Sequence, residues 1–311
     1  MVPGVFYIII TQSKTIGNFK WLILNHTFWC FCLENLIGIV KPVLLAPACS
    51  GYQIGFFRNT SFKSSAITTI LCFSFSLGAI FGLLMTVFSR YMVIFPSKWQ
   101  RIFHRKEIYF LAAFLYIFMI FLLFYVMIPT LDFTEKELYE DSKKYDPDLA
   151  YFFNHSTFFF VNHEIHDVGD IISIIGMSGL YIIVAAAVML FLYQIFSHKS
   201  IVNSKIQRSL IISSIVQVGL TCCFLMIPVY FYIIFIRFDI PSTAPIMTVL
   251  LCVYSTHCVF DFCATLYFVK PYRQFVIRKL LKKQPGTFKI TVIAGTSEIG
   301  AKSIRNSNGI H

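Results

Sequence analysis

The sequence predicts an all-α polytopic membrane protein, and three features of its composition support this fold class. Of the 311 residues, 57% are hydrophobic and only 13% are charged, whereas a soluble domain carries about 25% charged residues. The mean hydropathy is +0.72. Six apolar runs reach the length of roughly 20 residues that a helix needs to cross a bilayer. The net charge of +11 does not indicate nucleic-acid binding, because the basic residues are confined between apolar runs.

The predicted elements begin with a short apolar run at residues 2–10. As a helix this run would extend roughly 13 Å, against a hydrocarbon core of about 30 Å. We interpret it as the inner part of a truncated first helix, and we expect the chain to reach the cell surface poorly. A transmembrane bundle then occupies residues 11–269, with a cytoplasmic tail from residue 270. The six predicted spans are 21–47, 66–93, 108–131, 171–196, 209–236 and 242–269.

The end of the last span predicts a membrane exit followed by a basic amphipathic helix. Pro271 cannot continue the hydrogen bonding of the span. Beyond it, apolar residues recur at helical spacing over residues 273–283, opposite Arg273, Arg278 and Lys279. Such a helix suits the anionic inner surface of a membrane. A solvated basic cluster without a helix is the alternative.

The distribution of basic residues predicts which side of the membrane each segment faces. Nineteen of the 26 lysine and arginine residues lie in alternate segments that include the 94–107 loop and the tail, and six lie in the opposite segments. Because lysine and arginine favour the cytoplasmic side, we expect a plasma-membrane protein with a cytoplasmic carboxyl tail. The amino end is then outside if the first helix is complete. Glycosylation sequons at Asn59 and Asn154 fall on the predicted outer side.

Five fragments of the sequence, in order and at suitable spacing, carry a family resemblance. They are KPVLLAPACSGYQIG (41–55), FSRY (88–91), SIVQVGLTCCFLMIPVYF (214–231), STHC (255–258) and KPYRQF (270–275). Together they resemble the nematode seven-transmembrane chemoreceptors of the serpentine receptor class H group, over nearly the whole chain. The sequence departs from the family pattern at Phe88 and Ser89, which puts an ionic lock on Arg90 in doubt, and at Cys258, where the family has glycine.

The resemblance implies a GPCR-like seven-helix receptor. Such a protein is chemosensory, with a role in olfaction: it binds a small environmental molecule and signals to a heterotrimeric G protein in the lipid bilayer. It is not an enzyme, and the sequence contains no phosphate-binding glycine loop or membrane-enzyme histidine boxes. A membrane transporter or a ligand-gated channel is the alternative. Transporters often carry paired broken helices and several intramembrane charges. Apart from Arg90 near the end of its span, only Glu34, Lys41 and Asp261 are charged within the predicted spans.

Polar residues inside two of the spans form the candidate intramembrane site. Glu34 and His257 lie at matching depths, roughly 20 Å from the cytoplasmic ends of their spans. A carboxylate at midspan is costly, so it should face the bundle interior and find a donor. We therefore predict that Glu34, His257 and Asp261 form a polar cluster that links ligand binding to helix movement. A protonated Glu34 held by a nearby hydroxyl or backbone carbonyl is the alternative.

A second candidate surface faces the cytoplasm and the G protein. Arg90 ends the 66–93 span, where its long side chain is expected to reach the membrane interface. We predict that it contacts the G protein together with Arg273, Arg278 and Lys279, although membrane anchoring explains Arg90 equally well.

The sequence predicts no metal site and no cofactor. In His163-Glu164-Ile165-His166-Asp167 the two histidines are three residues apart, whereas the zinc-protease motif places them four apart on a helix. A solvated outer loop is the preferred interpretation of this segment. Eight of the nine cysteines fall within predicted spans, and we interpret them as buried packing residues.

Overall fold

The computed structural model describes residues 2–12, 20–94, 106–161, most of 171–193, and 205–281. Within these residues, five helices are long and apolar enough to cross a membrane, and a shorter apolar helix accompanies them. In chain order the helices are α1 (Val2–Gln12), α2 (Lys20–Val40), α3 (Phe62–Ile94), α4 (Lys106–Asp132), α5 (Glu135–Tyr145), α6 (Ile174–Ala187), α7 (Lys205–Thr221), α8 (Ile227–Arg237), α9 (Ala244–Phe268) and α10 (Lys270–Leu281).

The predicted helical membrane fold is confirmed, and α7 and α8 form one interrupted span. A π-helical turn over Cys222–Met226 joins the two helices. Pro228 follows this turn and has no N–H with which to make the ordinary bond to the preceding helical turn. In this turn the backbone hydrogen bonds span five residues instead of four, just before the proline. Such π-helical turns are common at functional sites.

Helix α2 ends at Val40, whereas the predicted span continued to residue 47. Lys41 adopts a left-handed backbone with φ 47°, and its N–H bonds to the carbonyl of Ile37. Pro42 follows, and the residue before a proline is disfavoured in the α conformation. Composition could not distinguish the apolar residues after Val40 from a continuing span, because both are buried.

A small antiparallel sheet replaces the end of the predicted span, so the fold is not purely helical. Strand β1 (Pro42–Leu44) pairs with β2 (Ser50–Gln53), and β2 pairs with β3 (Phe159–Phe160). Because α2 leads into β1 and β2 precedes α3, this sheet lies at one end of the bundle, which we call the sheet end.

The chain between α4 and β3 folds into a layer at the sheet end. Helix α5 begins with a capping box in which Thr134 and Glu137 bond each other's backbone N–H. These bonds lower the pKa of Glu137 below its usual value. Phe158 and Phe160 are buried in a cluster with Leu138 of α5. These two aromatic residues form part of the core of this layer.

Helix α10 lies at the opposite end of the bundle, which we call the α10 end. Val269 is in an extended conformation and ends α9, and Pro271 occupies the first turn of α10, where a missing N–H is harmless. Tyr272 is fully buried, and the ring of Phe275 lies 6.4 Å from the ring of Tyr7 in α1. The helix predicted over 273–283 therefore exists, begins at Lys270, and packs one face on the bundle.

Helices α2 and α3 approach each other closely at two glycines. A Cβ atom on Gly78 would lie 2.6 Å from the ring of Trp29, and one on Gly82 would lie 2.9 Å from the Cα atom of His26. Glycines four residues apart let membrane helices pack backbone to backbone. This contact fixes the position of His26 against α3.

We expect Gly82→Ala to destabilise the bundle by about 1–3 kcal/mol, because the added methyl group must push α2 away from α3. Gly219→Ala is the matched control, since a Cβ atom there meets nothing within 4 Å; it should be neutral or stabilising by up to about 1 kcal/mol. Thermal unfolding of the detergent-solubilised variants measures both. Equal midpoints for the two variants would argue against the close contact.

Candidate functional site

An apolar pocket opens among α2, α3, α8 and α9, toward the sheet end. It contains about 580 Å³ not filled by protein atoms, part of it open to the outside. Its lining includes Ile37, Val40, Cys72, Phe73, Pro228, Val229, Met247, Leu251 and Tyr254. Its concave, mainly apolar lining is typical of small-molecule sites.

The few polar groups of the pocket wall already have partners. Thr68 accepts a hydrogen bond from Gln53 and donates to the backbone of α3. The hydroxyl of Tyr254 bonds with Ser76, and the hydroxyl of Thr69 donates to the carbonyl of Ser65. The wall therefore presents mainly hydrocarbon to a ligand.

The layer at the sheet end also contacts the connection between α8 and α9. The hydroxyl of Tyr145 donates to Asp239 Oδ1 at 2.5 Å. Burial, together with this bond, raises the pKa of Tyr145. The layer is thus attached to helices on both sides of the pocket.

A buried polar cluster lies deeper in the bundle than the pocket. It consists of His26, Gln217, Thr221, His257 and Asp261, each at most 2% exposed. His26 Nε2 lies 3.2 Å from Asp261 Oδ2, an ion pair when the imidazole carries both protons. Gln217 donates to Asp261 Oδ1 at 3.3 Å, and His257 Nε2 lies 3.2 Å from the Thr221 hydroxyl. Helices α2, α7 and α9 are thereby joined through polar contacts.

The cluster lies between the pocket and the α10 end. On one side, Tyr254 of the pocket lies one helical turn from His257 on α9. On the other side, Arg90 Nη1 donates to Ser214 of α7 at 2.7 Å. Arg90 also interacts electrostatically with Asp261 and with Tyr272 of α10. Buried polar residues are therefore present along the bundle from the pocket toward α10.

The structure brings two of the three predicted cluster residues together and leaves Glu34 apart. His257 and Asp261 are fully buried one turn apart. Asp261 pairs with His26, which was not among the predicted residues. Glu34 is half-buried, and its Oε2 has no hydrogen-bond partner within the described part of the chain. The predicted contact between Glu34 and His257 is not among the hydrogen bonds of the described residues.

His26 is the functional candidate that sequence reasoning missed. The buried face of α2 includes Ile23, His26, Cys30, Leu33 and Ile37, which recur every three or four residues. Glu34 lies beside this stripe and His26 lies within it. The helical period of the apolar residues could have identified His26, whereas the charge of a residue within a span pointed to Glu34.

Arg90 does not extend to the membrane interface as predicted. Its side chain is 2% exposed, because it turns inward to Ser214 and to the charge of Asp261. Arg273, Arg278 and Lys279 are exposed on α10. The structure therefore places the three tail cations on a surface and Arg90 beneath it.

Both glycosylation candidates lie at the sheet end. Asn59 and Asn154 are exposed, and Ser156 donates to the carbonyl of Arg58, which joins the two loops. The segment His163–Asp167, predicted to be a solvated loop without a metal, lies outside the described residues.

Comparison with protein families assigns the chain. The sequence model for the serpentine type 7TM GPCR chemoreceptor Srh matches residues 2–282, which is most of the chain. A comparison with curated proteins gives no match. The helices, the buried polar cluster and the pocket lie within the matched region, and receptors of this family are not enzymes. The chain therefore belongs to the Srh family of serpentine seven-transmembrane GPCR chemoreceptors.

Proposed function

We propose that this receptor binds a small apolar environmental molecule in the pocket between α2, α3, α8 and α9. The observation that carries the proposal is the pocket itself, with its hydrocarbon lining and already bonded polar groups. A ligand rich in hydrogen-bonding groups would lose its hydration there without replacement. The chemical class that fits is a small, weakly polar molecule.

The proposed signal travels from the pocket through the buried polar cluster to the α10 end. Tyr254 lines the pocket and lies one turn from His257 on α9. A ligand that contacts Tyr254 therefore contacts the helix that carries His257. The π-helical turn before Pro228 gives the α7–α8 span a place to change shape. A ligand that binds better to one arrangement of these helices shifts the receptor toward that arrangement.

In this proposal the sheet end faces the outside of the plasma membrane and the α10 end faces the cytoplasm. The excess of lysine and arginine on the α10 side supports this orientation. Glycans on Asn59 and Asn154 are then compatible with it. The exposed Arg273, Arg278 and Lys279 contact the heterotrimeric G protein or the anionic inner leaflet.

The test is to fill the pocket. We expect Leu251→Trp to abolish the response to small ketones, esters and aldehydes, because the indole occupies the space of the ligand. The readout is ligand-stimulated nucleotide exchange on a G protein in receptor-containing membranes, normalised to receptor surface density. Val249→Trp is the matched control, since Val249 is 63% exposed on the same helix and does not line the pocket.

Two outcomes would contradict the proposal. An undiminished response of Leu251→Trp would place the ligand elsewhere. A ligand-gated current through the purified receptor in a bilayer without G protein would instead support a channel.

A further inference from the structure

Two buried cysteines and two buried histidines meet beside Asp261. Cys30 and Cys258 are at most 2% exposed, whereas Cys223, Cys252 and Cys263 are exposed. The ligand atoms of His26, Cys30 and Asp261 all lie within 4.8 Å of one another, as do those of Cys30, His257 and Cys258. Cys30 belongs to both groups. We call these five residues the cysteine–histidine cluster.

Each histidine of the cluster has one ring nitrogen held by a neighbour and lies near a thiol. His26 Nδ1 lies 2.9 Å from the carbonyl of Ala79 and must donate to it, because a carbonyl only accepts. Cys30 Sγ lies 3.7 Å from His26 Nε2 and 3.9 Å from Nδ1. His257 Nε2 is held by Thr221, and its Nδ1 lies 3.9 Å from Cys258 Sγ. Histidines that ligate metals are oriented in this way by a bond from the second nitrogen.

The spacing of three donor atoms, those of His26, Cys30 and Asp261, suits one small cation. Around a tetrahedral Zn²⁺ with ligands at 2.0–2.3 Å, donor atoms are separated by about 3.3–3.8 Å. His26 Nε2 is 3.7 Å from Cys30 Sγ and 3.2 Å from Asp261 Oδ2. Apart from the contact with His26, Asp261 Oδ2 has no hydrogen-bond donor among the described residues. An acceptor in a fully buried position is thus directed at the same point as a thiol and an imidazole.

We propose that the cysteine–histidine cluster binds one Zn²⁺ ion. His26 Nε2, Cys30 Sγ and Asp261 supply three ligands, and the group formed by His257 and Cys258 supplies the fourth. Binding releases the protons of the ligating thiols, and of His26 Nε2, to solvent. The thiolate and carboxylate charges then offset the two charges of the cation, and Arg90 remains near Asp261 to balance the rest. A borderline-soft cation is favoured by sulfur and imidazole donors over Mg²⁺ or Ca²⁺.

The bound ion would join α2 to α9 one helical turn below the ligand pocket. Cys258 follows Tyr254 of the pocket by one turn of α9. The ion would hold the two helices more firmly than the His26–Asp261 contact alone. This inference stands on the donor geometry and does not depend on the identity of the chemosensory ligand.

The test uses the full chain, purified in detergent, stripped with a chelator and then supplied with Zn²⁺ alone. We expect one Zn²⁺ per chain by elemental analysis after desalting, and a higher thermal unfolding midpoint with added Zn²⁺. Co²⁺ in place of Zn²⁺ should give sulfur-to-cobalt charge-transfer absorption. Cys30→Ser should lose the ion and the charge-transfer band, because it removes the ligand shared by both groups. Cys263→Ser changes an exposed cysteine on α9, the helix of Cys258, and should behave like the unsubstituted chain.

Other variants keep the test decisive if Cys30→Ser does not fold. Cys258→Ser and His257→Gln each remove a candidate for the fourth ligand, and one of them should weaken Zn²⁺ binding by roughly tenfold or more. The proposal is overturned if the unsubstituted chain retains no stoichiometric Zn²⁺, or if every cluster variant binds it as tightly as Cys263→Ser. A disulfide between Cys30 and Cys258 in the freshly purified protein would also overturn it.

Discussion

Asp261→Ala should remove most of the folded receptor from the cell surface. The carboxylate is fully buried and lies 3.2 Å from the imidazole of His26, with Gln217 bonded to its other oxygen. Its charge also acts on the buried guanidinium of Arg90. Removal of one member of a buried ion pair typically costs about 3–5 kcal/mol, because the remaining charge has no water to solvate it. This is a large part of the stability of an ordinary folded domain.

The control for Asp261→Ala is a carboxylate in an exposed ion pair. Glu140 lies 3.9 Å from Lys136 on α5, and both side chains are largely exposed. Pairs of this kind contribute about 0–1 kcal/mol, so Glu140→Ala should leave surface density nearly unchanged. Antibody labelling of an amino-terminal or outer-loop tag on intact cells, divided by total receptor, measures both variants. Equal surface fractions would show that Asp261 does not stabilise the bundle.

A double-mutant cycle tests whether Asp261→Ala destabilises the receptor through the lost contact with His26. We expect His26→Ala and Asp261→Ala to destabilise the solubilised receptor less in combination than the sum of the two single effects. Residues that share a buried network usually couple by about 0.5–3 kcal/mol. Additive changes in unfolding free energy would mean that each residue acts through other neighbours.

The helical fold was accessible from the sequence because it depends on composition. Any apolar run of sufficient length must be helical in a bilayer, since its backbone has no other way to satisfy its hydrogen bonds. The last span was predicted at 242–269 and observed as Ala244–Phe268. The same rule failed at the end of α2, where the apolar residues Pro42–Leu44 form a half-buried strand at the sheet end. There Pro42 predicts the end of the helix, because a proline disfavours the α conformation of the residue before it. Hydropathy does not detect this effect.

The layer at the sheet end was largely inaccessible to sequence reasoning. Its aromatic residues occur in a polar stretch between two spans, and no period marks them as buried. Their burial depends on contacts with α5 that bring together residues distant in the chain, such as Leu138 and Phe160. Only the capping box at Thr134 and Glu137 is a local pattern that predicts the start of α5.

Two residues of the candidate site were predicted from their residue type, but their partner on α2 was not. His257 and Asp261 attract notice as polar residues in an apolar helix. Their partner depends on the rotation of α2 about its axis, and that rotation is set by packing against Gly78 and Gly82 of α3. The rotation turns His26 inward, whereas Glu34 lies beside the buried stripe. Charge alone favoured Glu34, but the contact between α2 and α3 determines which residue of α2 faces the cluster.

Arg90→Met should strongly reduce coupling to the G protein in receptors that reach the surface. The side chain of Arg90 is buried near the α10 end, where it bonds Ser214 of α7 and interacts with Asp261 of α9 and Tyr272 of α10. It therefore bonds one element and interacts electrostatically with two others, and these are elements that move relative to one another in the proposed signalling. Methionine keeps the length and the apolar stem but removes the charge and the donors. With coupling free energies of typically 1–3 kcal/mol, we expect ligand-stimulated nucleotide exchange per receptor to fall by roughly tenfold or more.

Two further substitutions distinguish a loss of coupling to the G protein from a loss of folding. Arg58→Met makes the same change at an exposed position of the sheet end and should leave exchange unaffected. Arg90→Lys keeps the charge but not the planar set of donors that can bond several partners at once, so its exchange should fall between those of the unsubstituted receptor and Arg90→Met. Exchange is compared at equal surface density, so that loss of folding is not counted as loss of coupling. If Arg90→Met signals normally per receptor, then Arg90 stabilises the bundle without transmitting the signal, and the exposed cations of α10 become the remaining candidates for contact with the G protein.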